Sequence, residues 1–190
     1  GEISSKLGFP CFVKPSNMGS SVGVSKVKKA EELSGAINEA LKYDMSIVIE
    51  KGVNAREIEV AVLGNESEAC LASVAGEIVP SREFYDFYAK YVDNSSELFI
   101  PAKISAEQMQ RVQELAKQAF SAMQCSGMAR VDFLMDKDTG ELFLNELNTI
   151  PGFTSISMYP KLMNATGIWY AELIDKLIEL GMARAKARGK

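Results

Sequence analysis

The sequence holds no histidine in 190 residues. That absence removes histidine triads, histidine general bases and histidine metal ligands. Chemistry here must run through carboxylates, lysine, arginine, serine, tyrosine or a bound metal. Cysteine is scarce as well. Cys11, Cys70 and Cys125 are odd in number, far apart and set among apolar residues. They suit reduced, buried thiols of a cytoplasmic protein rather than a disulfide frame. No apolar run approaches the roughly 20 residues of a membrane span. Positive charge is not in excess, the net charge being −4. Nothing in the bulk charge favours nucleic acid or an anionic membrane as a partner. Internal repeats and low-complexity segments are missing. So is an initiator methionine: the chain opens on Gly1-Glu2-Ile3, with no signal-peptide pattern, which suits a fragment.

What is present is a chain 47% hydrophobic with both charge signs mixed, enough for a core in one domain or two small lobes. Cys11-Phe12-Val13 reads as a short strand that ends at Lys14-Pro15, because proline cannot donate to a ladder. Ser16 to Gly23 is a loop of small and hydroxyl residues. It is neither a Walker loop nor GxGxxG. It suits an ordinary hairpin tip. It also suits a phosphate cradle, since small residues let the backbone approach a ligand and hydroxyls bind phosphate oxygens. Lys29 to Lys42 has helical periodicity. Ile47-Val48-Ile49 runs as a strand into Glu50-Lys51-Gly52-Val53, a hinge between lobes or a plain connector. Arg56 to Leu63 alternates Ile58, Val60 and Val62 against Glu57, Glu59 and Ala61, as a strand does.

Residues 80–96 gather Phe84, Tyr85, Phe87, Tyr88 and Tyr91 around Asp86 and Lys90 without a clear period. Long aperiodic loops are usually functional. A lid over a site and a self-packed surface loop are both compatible with it. Ser105-Ala106-Glu107-Gln108 is a capping box. The helix it opens carries Met109, Val112, Leu115, Ala116, Ala119, Phe120 and Met123 on one face. The last helix carries Trp169, Leu173, Ile174, Leu177, Ile178 and Leu180 as an expected core stripe.

Between those helices, Gly127 to Gly152 reads as a β-hairpin. Arg130 and Asp132 share one face of the first strand. Strict alternation puts Leu142, Leu144, Glu146 and Asn148 together on the second. A three-residue loop with a bulge, centred on Thr139 and using Gly140 at positive φ, sets Asp132 across from Glu146. Two carboxylates and an amide oxygen then converge beside one guanidinium. Hard divalent cations favour such oxygen donors. A solvated sheet face fits the same spacing.

The motifs fall in a recognisable order. Phe12-Val13-Lys14-Pro15, Gly19-Ser20-Ser21-Val22-Gly23, Glu50-Lys51, Tyr85-Asp86, Ala89-Lys90-Tyr91, Arg130-Val131-Asp132 and Asn145-Glu146-Leu147-Asn148-Thr149 lead to Pro151-Gly152-Phe153-Thr154. This set resembles the D-alanine–D-alanine ligases of the ATP-grasp superfamily, over nearly the whole chain. The family's N-terminal substrate domain and first ATP-grasp strands have no counterpart here.

The resemblance implies an α+β fold. Residues 1–52 would be a partial central ATP-grasp lobe. Residues 53–190 would be a C-terminal antiparallel-sheet lobe with flanking helices, a metal site and a lid at about 80–96. It implies that Lys14 contacts the ATP α- and β-phosphates, and that Ser20 and Ser21 cover the phosphates and first substrate. Glu50, Lys51 and Val53 match the segment holding adenine, and Glu57 matches the carboxylate on the ribose. Lys90 matches the lid lysine that reaches the γ-phosphate, with Tyr91 near the second substrate. Asp132, Glu146 and Asn148 match the ligands of two Mg²⁺ (or Mn²⁺) ions. Arg130 and the Gly152 N–H match an oxyanion hole, and Ser157 and Met158 the segment that binds the second substrate's carboxylate.

The implied reaction ligates two D-alanines for peptidoglycan synthesis through an acyl phosphate. The implied setting is the cytoplasm, with a homodimer in the full-length form and no nucleic-acid or membrane partner. Relatives that make D-Ala-D-lactate carry a histidine near the lid lysine, so its absence favours D-alanine as second substrate over lactate. D-Ala-D-Ser synthesis and an inactive nucleotide-binding fragment are the alternatives.

Overall fold

Two ten-residue strands, β4 (Ala55–Gly64) and β8 (Gly127–Asp136), pair antiparallel along their whole length in the computed structural model. The structure describes residues 2–19, 21–65, 70–79 and 97–189. Their alternation explains the pairing. Ile58, Val60 and Val62 of β4 and Val131, Phe133 and Met135 of β8 turn to one side and are buried. That leaves Glu57, Glu59 and Ala61 on the other side, paired with Leu134, Asp132 and Arg130.

The remaining strands extend this sheet. The order is β7 (Glu97–Phe99), β6 (Gly76–Val79), β4, β8, β9 (Leu142–Asn148), with β5 (Leu71–Ala72) paired to β4. A second sheet of three strands has the order β2 (Ser25–Val27), β1 (Cys11–Pro15), β3 (Ile47–Lys51). The chain divides into two units, Gly1–Asn54 and Ala55–Val79 with Leu98–Lys190.

In the first unit, a short helix α1 (Glu2–Lys6) precedes the sheet. The expected helix after the loop is shorter than its periodicity: a 3₁₀ turn at Ala30–Glu32 leads into α2 (Leu33–Ala40). Ala36 and Ala40 of α2 pack with Cys11, Val13 and Val27. In the second unit, α3 (Ala106–Ala122) begins at the expected capping box. Gln108 N donates to Ser105 Oγ at 3.1 Å and Ser105 N to Gln108 Oε1 at 3.0 Å. Such a cap stabilises a helix by about 1 kcal/mol. Val112, Ala116 and Phe120 of α3 cover the apolar face of the large sheet. Met123, expected on that stripe, closes the helix and is 67% exposed.

The sheet's other face is covered in part by α4 (Met158–Ala165). A Cβ on Gly76 would lie 2.6 Å from Met158 Cε and 2.8 Å from Leu162 Cδ2, so any larger residue would make these α4 side chains shift. Tyr159 Oη donates to Val62 O at 3.0 Å. The last helix, α5 (Tyr170–Ala187), corrects a second expectation. Of its proposed core stripe only Leu173 is fully buried, while Trp169 and Ile178 are exposed. The apolar stripe is wider than the single side on which α5 packs.

Candidate functional site

On the face opposite α3, five polar side chains gather where β4, β8 and β9 run side by side. Register places them: Glu59 pairs with Asp132, Asp132 with Glu146, and Arg130 with Asn148. Arg130 is bidentate on Asp132, with Nε 2.8 Å from Oδ1 and a terminal nitrogen 2.7 Å from Oδ2. Arg130 Nε also lies 3.1 Å from Glu59 Oε2. Asn148 Nδ2 donates to Asp132 Oδ2 at 3.1 Å and to Glu146 Oε1 at 3.2 Å.

Two of the charges are taken out of water, while Glu146 stays exposed at the rim. Glu59 and Asp132 are only 6% and 8% exposed. Burial raises the Asp132 pKa; Arg130 pulls it down, Glu146 pushes it up, and the net shift is upward. Burial works against the Arg130 charge, yet the Asp132 hydrogen bonds and the Glu59 charge leave the guanidinium held more firmly in its charged form. Three carboxylates thus stand against one guanidinium, a local surplus of negative charge.

The hairpin reaches the expected Asp132–Glu146 pairing by a different route. The loop has four residues, Lys137 to Gly140, closed by Asp136 N donating to Glu141 O at 2.9 Å. Asp136 Oδ1 accepts from Asp138 N at 2.9 Å and Thr139 N at 2.8 Å, and Gly140 takes φ +73°. This turn pairs Phe133 with Leu144, which in a regular ladder would set Asp132 against Asn145. Instead the register shifts by one, and Glu146 faces Asp132. Asn145 is the extra residue of a β-bulge. The expected face of β9 is therefore corrected. Leu142 and Leu144 share the apolar face with Met135 and Phe133, while Glu146 and Asn148 belong to the other.

After β9 the chain turns through Pro151 and Gly152 to the start of α4. Thr154 N donates to Ser157 Oγ at 3.1 Å. A Cβ at position 152 would lie 2.9 Å from that same Oγ. Phe153 fixes the segment: its ring centroid is 5.3 Å from that of Tyr170, whose hydroxyl donates to Phe153 O at 3.0 Å. Ser157 precedes α4 as its N-cap residue, and the Met158 side chain is buried against Gly76. What Met158 could offer a ligand is its backbone.

In the first unit, Lys14 Nζ is 2.8 Å from Glu50 Oε2. Lys14 pairs with Val48 and Phe12 with Glu50, so the two charges sit diagonally on one sheet face. The loop that follows is tied down at its base. Asp44 Oδ2 accepts from Asn17 N at 2.9 Å and from Asn17 Nδ2 at 2.7 Å. Ser21 takes φ +59°. Lys51 ends β3 with its side chain exposed, Val53 follows in the connector, and Glu57 lies on β4 opposite Leu134. Ser20, Lys90, Tyr91 and the lid segment lie outside the described residues.

Glu59 is the residue that sequence reasoning passed over. Its alternation with Glu57 was visible, but only the β4–β8 register brings it to Arg130. Among the described residues no group of three or more Asp, Glu, Cys or His is arranged to hold a metal. The oxygen cluster offers two carboxylates and an amide.

The D-ala D-ala ligase C-terminus family model matches residues 1–179. The chain belongs to this family. Relatives among the D-alanine–D-alanine ligases include that of Heliobacterium modesticaldum, 56% identical over 187 residues covering 98% of this chain and 50% of the relative. That of a Thermoanaerobacter species is 59% identical over 177 residues, covering 93% and 49%. The chain spans about half the length of the relatives it matches. Among solved structures, the VanG D-Ala:D-Ser ligase of Enterococcus faecalis superposes with a TM-score of 0.84 at 41% identity, over 94% of this chain and 51% of that one. The D-alanine-D-alanine ligase of Coxiella burnetii gives 0.83 at 38%, over 95% and 47%. The α+β fold of this family member is thus that of the D-alanine ligases, as its motif order led one to expect.

Proposed function

We propose that the gene product carrying this chain joins two D-alanines at the expense of ATP, and that the chain supplies its phosphate and metal machinery. The observation that carries the reading is the cluster of Arg130, Asp132, Glu146 and Asn148 on one sheet face, built on the buried Asp132. Its donor set fits Mg²⁺ or Mn²⁺. Hard cations take carboxylate and amide oxygens, and Asp132, raised by burial and by Glu146, gains from a positive charge beside it. Asp132, Glu146 and Asn148 would hold two such ions. The ions would neutralise the ATP phosphates while a D-alanine carboxylate attacks the terminal phosphorus.

The other roles are those the resemblance implies. Lys14 would exchange Glu50 for the α- and β-phosphates. Glu50, Lys51 and Val53 would hold adenine, and Glu57 the ribose. Ser20, Ser21 and Lys90 would close over the phosphates, with Tyr91, Ser157 and the Met158 backbone at the second substrate. The amine of the second D-alanine would attack the acyl phosphate. Arg130 and the Gly152 N–H would then stabilise the tetrahedral oxyanion. Losing one such donor costs on the order of 3 kcal/mol. ATP dependence suits a cytoplasmic setting, and no helix among the described residues is long and apolar enough to cross a membrane. The expectation of a homodimer rests on the resemblance.

Phosphate release tests the reading. The full gene product should release phosphate from ATP with D-alanine as sole amino acid. A higher rate with a D-alanine and D-serine mixture, and D-Ala-D-Ser as the main product, would replace it with the D-serine reading. Residues 1–190 alone should be inactive.

A further inference from the structure

Glu59 is buried in the middle of β4, 6% exposed, and its register partner is Asp132. Arg130 stands between these two carboxylates. Its fork closes on Asp132, and its Nε keeps a 3.1 Å ion pair with Glu59 Oε2. This poses a conflict that rests on the functional reading above. Asp132 is needed both by the cation and by Arg130. A carboxylate that turns its oxygens toward a divalent ion shares their lone pairs with it and holds its bidentate arginine less firmly. An arginine released inside a buried site would lose its orientation, and an oxyanion donor works only when it is already aimed.

The geometry points to Glu59 as a positioning residue that holds Arg130 when Asp132 turns to the cation. Glu59 is suited to this in three ways. It already lies within ion-pair distance of Nε, so the guanidinium needs no large movement to change partners. Its backbone is locked at the centre of the sheet, between β6 through Gly76 and β8 through Asp132. And Met158 and Leu162 of α4, which crowd Gly76, sit over the strand pair beside it and leave Glu59 little water to turn to. Glu57, two residues away on the same face, pairs with Leu134 rather than with Asp132. The surplus carboxylate is thus accounted for. Asp132 and Glu146 serve the ions, and Glu59 serves the arginine.

Two measurements test this, one independent of catalysis. In NMR of the full gene product, the Arg130 Nε–H should remain slow to exchange in the Asp132→Ala variant, because Glu59 still holds it. It should become fast in the Asp132→Ala/Glu59→Ala double variant. Fast exchange in Asp132→Ala alone, or slow exchange in the double variant, would overturn the proposal. In kinetics, Glu59→Gln should lower kcat at least tenfold. It should leave the KM for ATP and the Mn²⁺ affinity read by electron paramagnetic resonance within about twofold, with melting showing a folded protein. A changed Mn²⁺ affinity with unchanged kcat would make Glu59 a ligand instead and also overturn it. If the wild-type protein shows no D-alanine-dependent turnover, the ligase reading fails, while the exchange measurement still decides the role of Glu59.

Discussion

Lys14 and Glu50 are ion-paired at 2.8 Å across β1 and β3, adjacent strands of the three-stranded sheet. Neither is deeply buried, their side chains being 29% and 45% exposed. Exposed pairs contribute about 0–1 kcal/mol, so the pair is readily exchanged for a phosphate. Lys14→Ala should therefore leave the melting temperature almost unchanged but raise the KM for ATP about tenfold or more, equivalent to about 1.4 kcal/mol. Steady-state kinetics on the full gene product measure it. An unchanged KM would remove Lys14 from the phosphate site.

The oxygen cluster leads to a binding prediction. Asp132→Asn and Glu146→Gln should each weaken Mn²⁺ binding at least tenfold, and each should reduce D-alanine-dependent ATP turnover by roughly a thousandfold, about 4 kcal/mol of barrier. Isothermal titration with Mn²⁺ and phosphate release read the two effects separately. Wild-type affinity in both variants would return the cluster to a solvated sheet face.

Asn145 carries a sharper test of register. Because it is the extra residue of the bulge, removing it leaves Leu144 against Phe133 and Glu146 against Asp132 in an unbroken ladder. Deletion of Asn145 should keep Mn²⁺ affinity within a few-fold. Inserting an alanine after Leu144 should abolish it, since a further one-residue slip turns Glu146 toward the apolar face. Equal loss in both would show that the bulge, not the pairing, shapes the site.

Tyr159 gives a pH dependence. It is fully buried, donates to Val62 O, and burial raises its pKa well above the ordinary tyrosine value. The unfolded chain therefore loses this proton first as pH rises, so the folded state is favoured less above about pH 10, tyrosine's ordinary pKa. Stability below that pH carries no such penalty. Tyr159→Phe should cost about 1 kcal/mol at neutral pH for the lost hydrogen bond, and should flatten the alkaline fall in chemical denaturation curves. A fall of the same steepness in the variant would assign it to other groups.

Much of this was legible in the sequence because the elements follow period-two and 3.6-residue patterns with clear punctuation. The β4 alternation, the capping box at Ser105 and the closeness of Arg130, Asp132, Glu146 and Asn148 are of this kind. Three things were not legible. The bulge at Asn145 was hidden because turn length and bulge shift the register by compensating amounts, so a wrong loop led to the right pair. The exposure of α5 was hidden because periodicity marks an apolar stripe without saying how much of it finds a partner. Glu59 was hidden because its neighbour, Arg130, is distant in sequence and meets it only through strand pairing.

The bulge has one more consequence. Among the described residues β9 is an outer strand of the large sheet, and it presents Phe143 and Leu144, 39% and 54% exposed. A regular, flat, apolar border strand would invite a second chain to add on and grow a fibre. The extra residue at Asn145 interrupts the regular backbone row of that border, and the carboxylate of Glu146 follows at once. The kink that brings Glu146 to Asp132 thus also makes this border a poorer template for self-association.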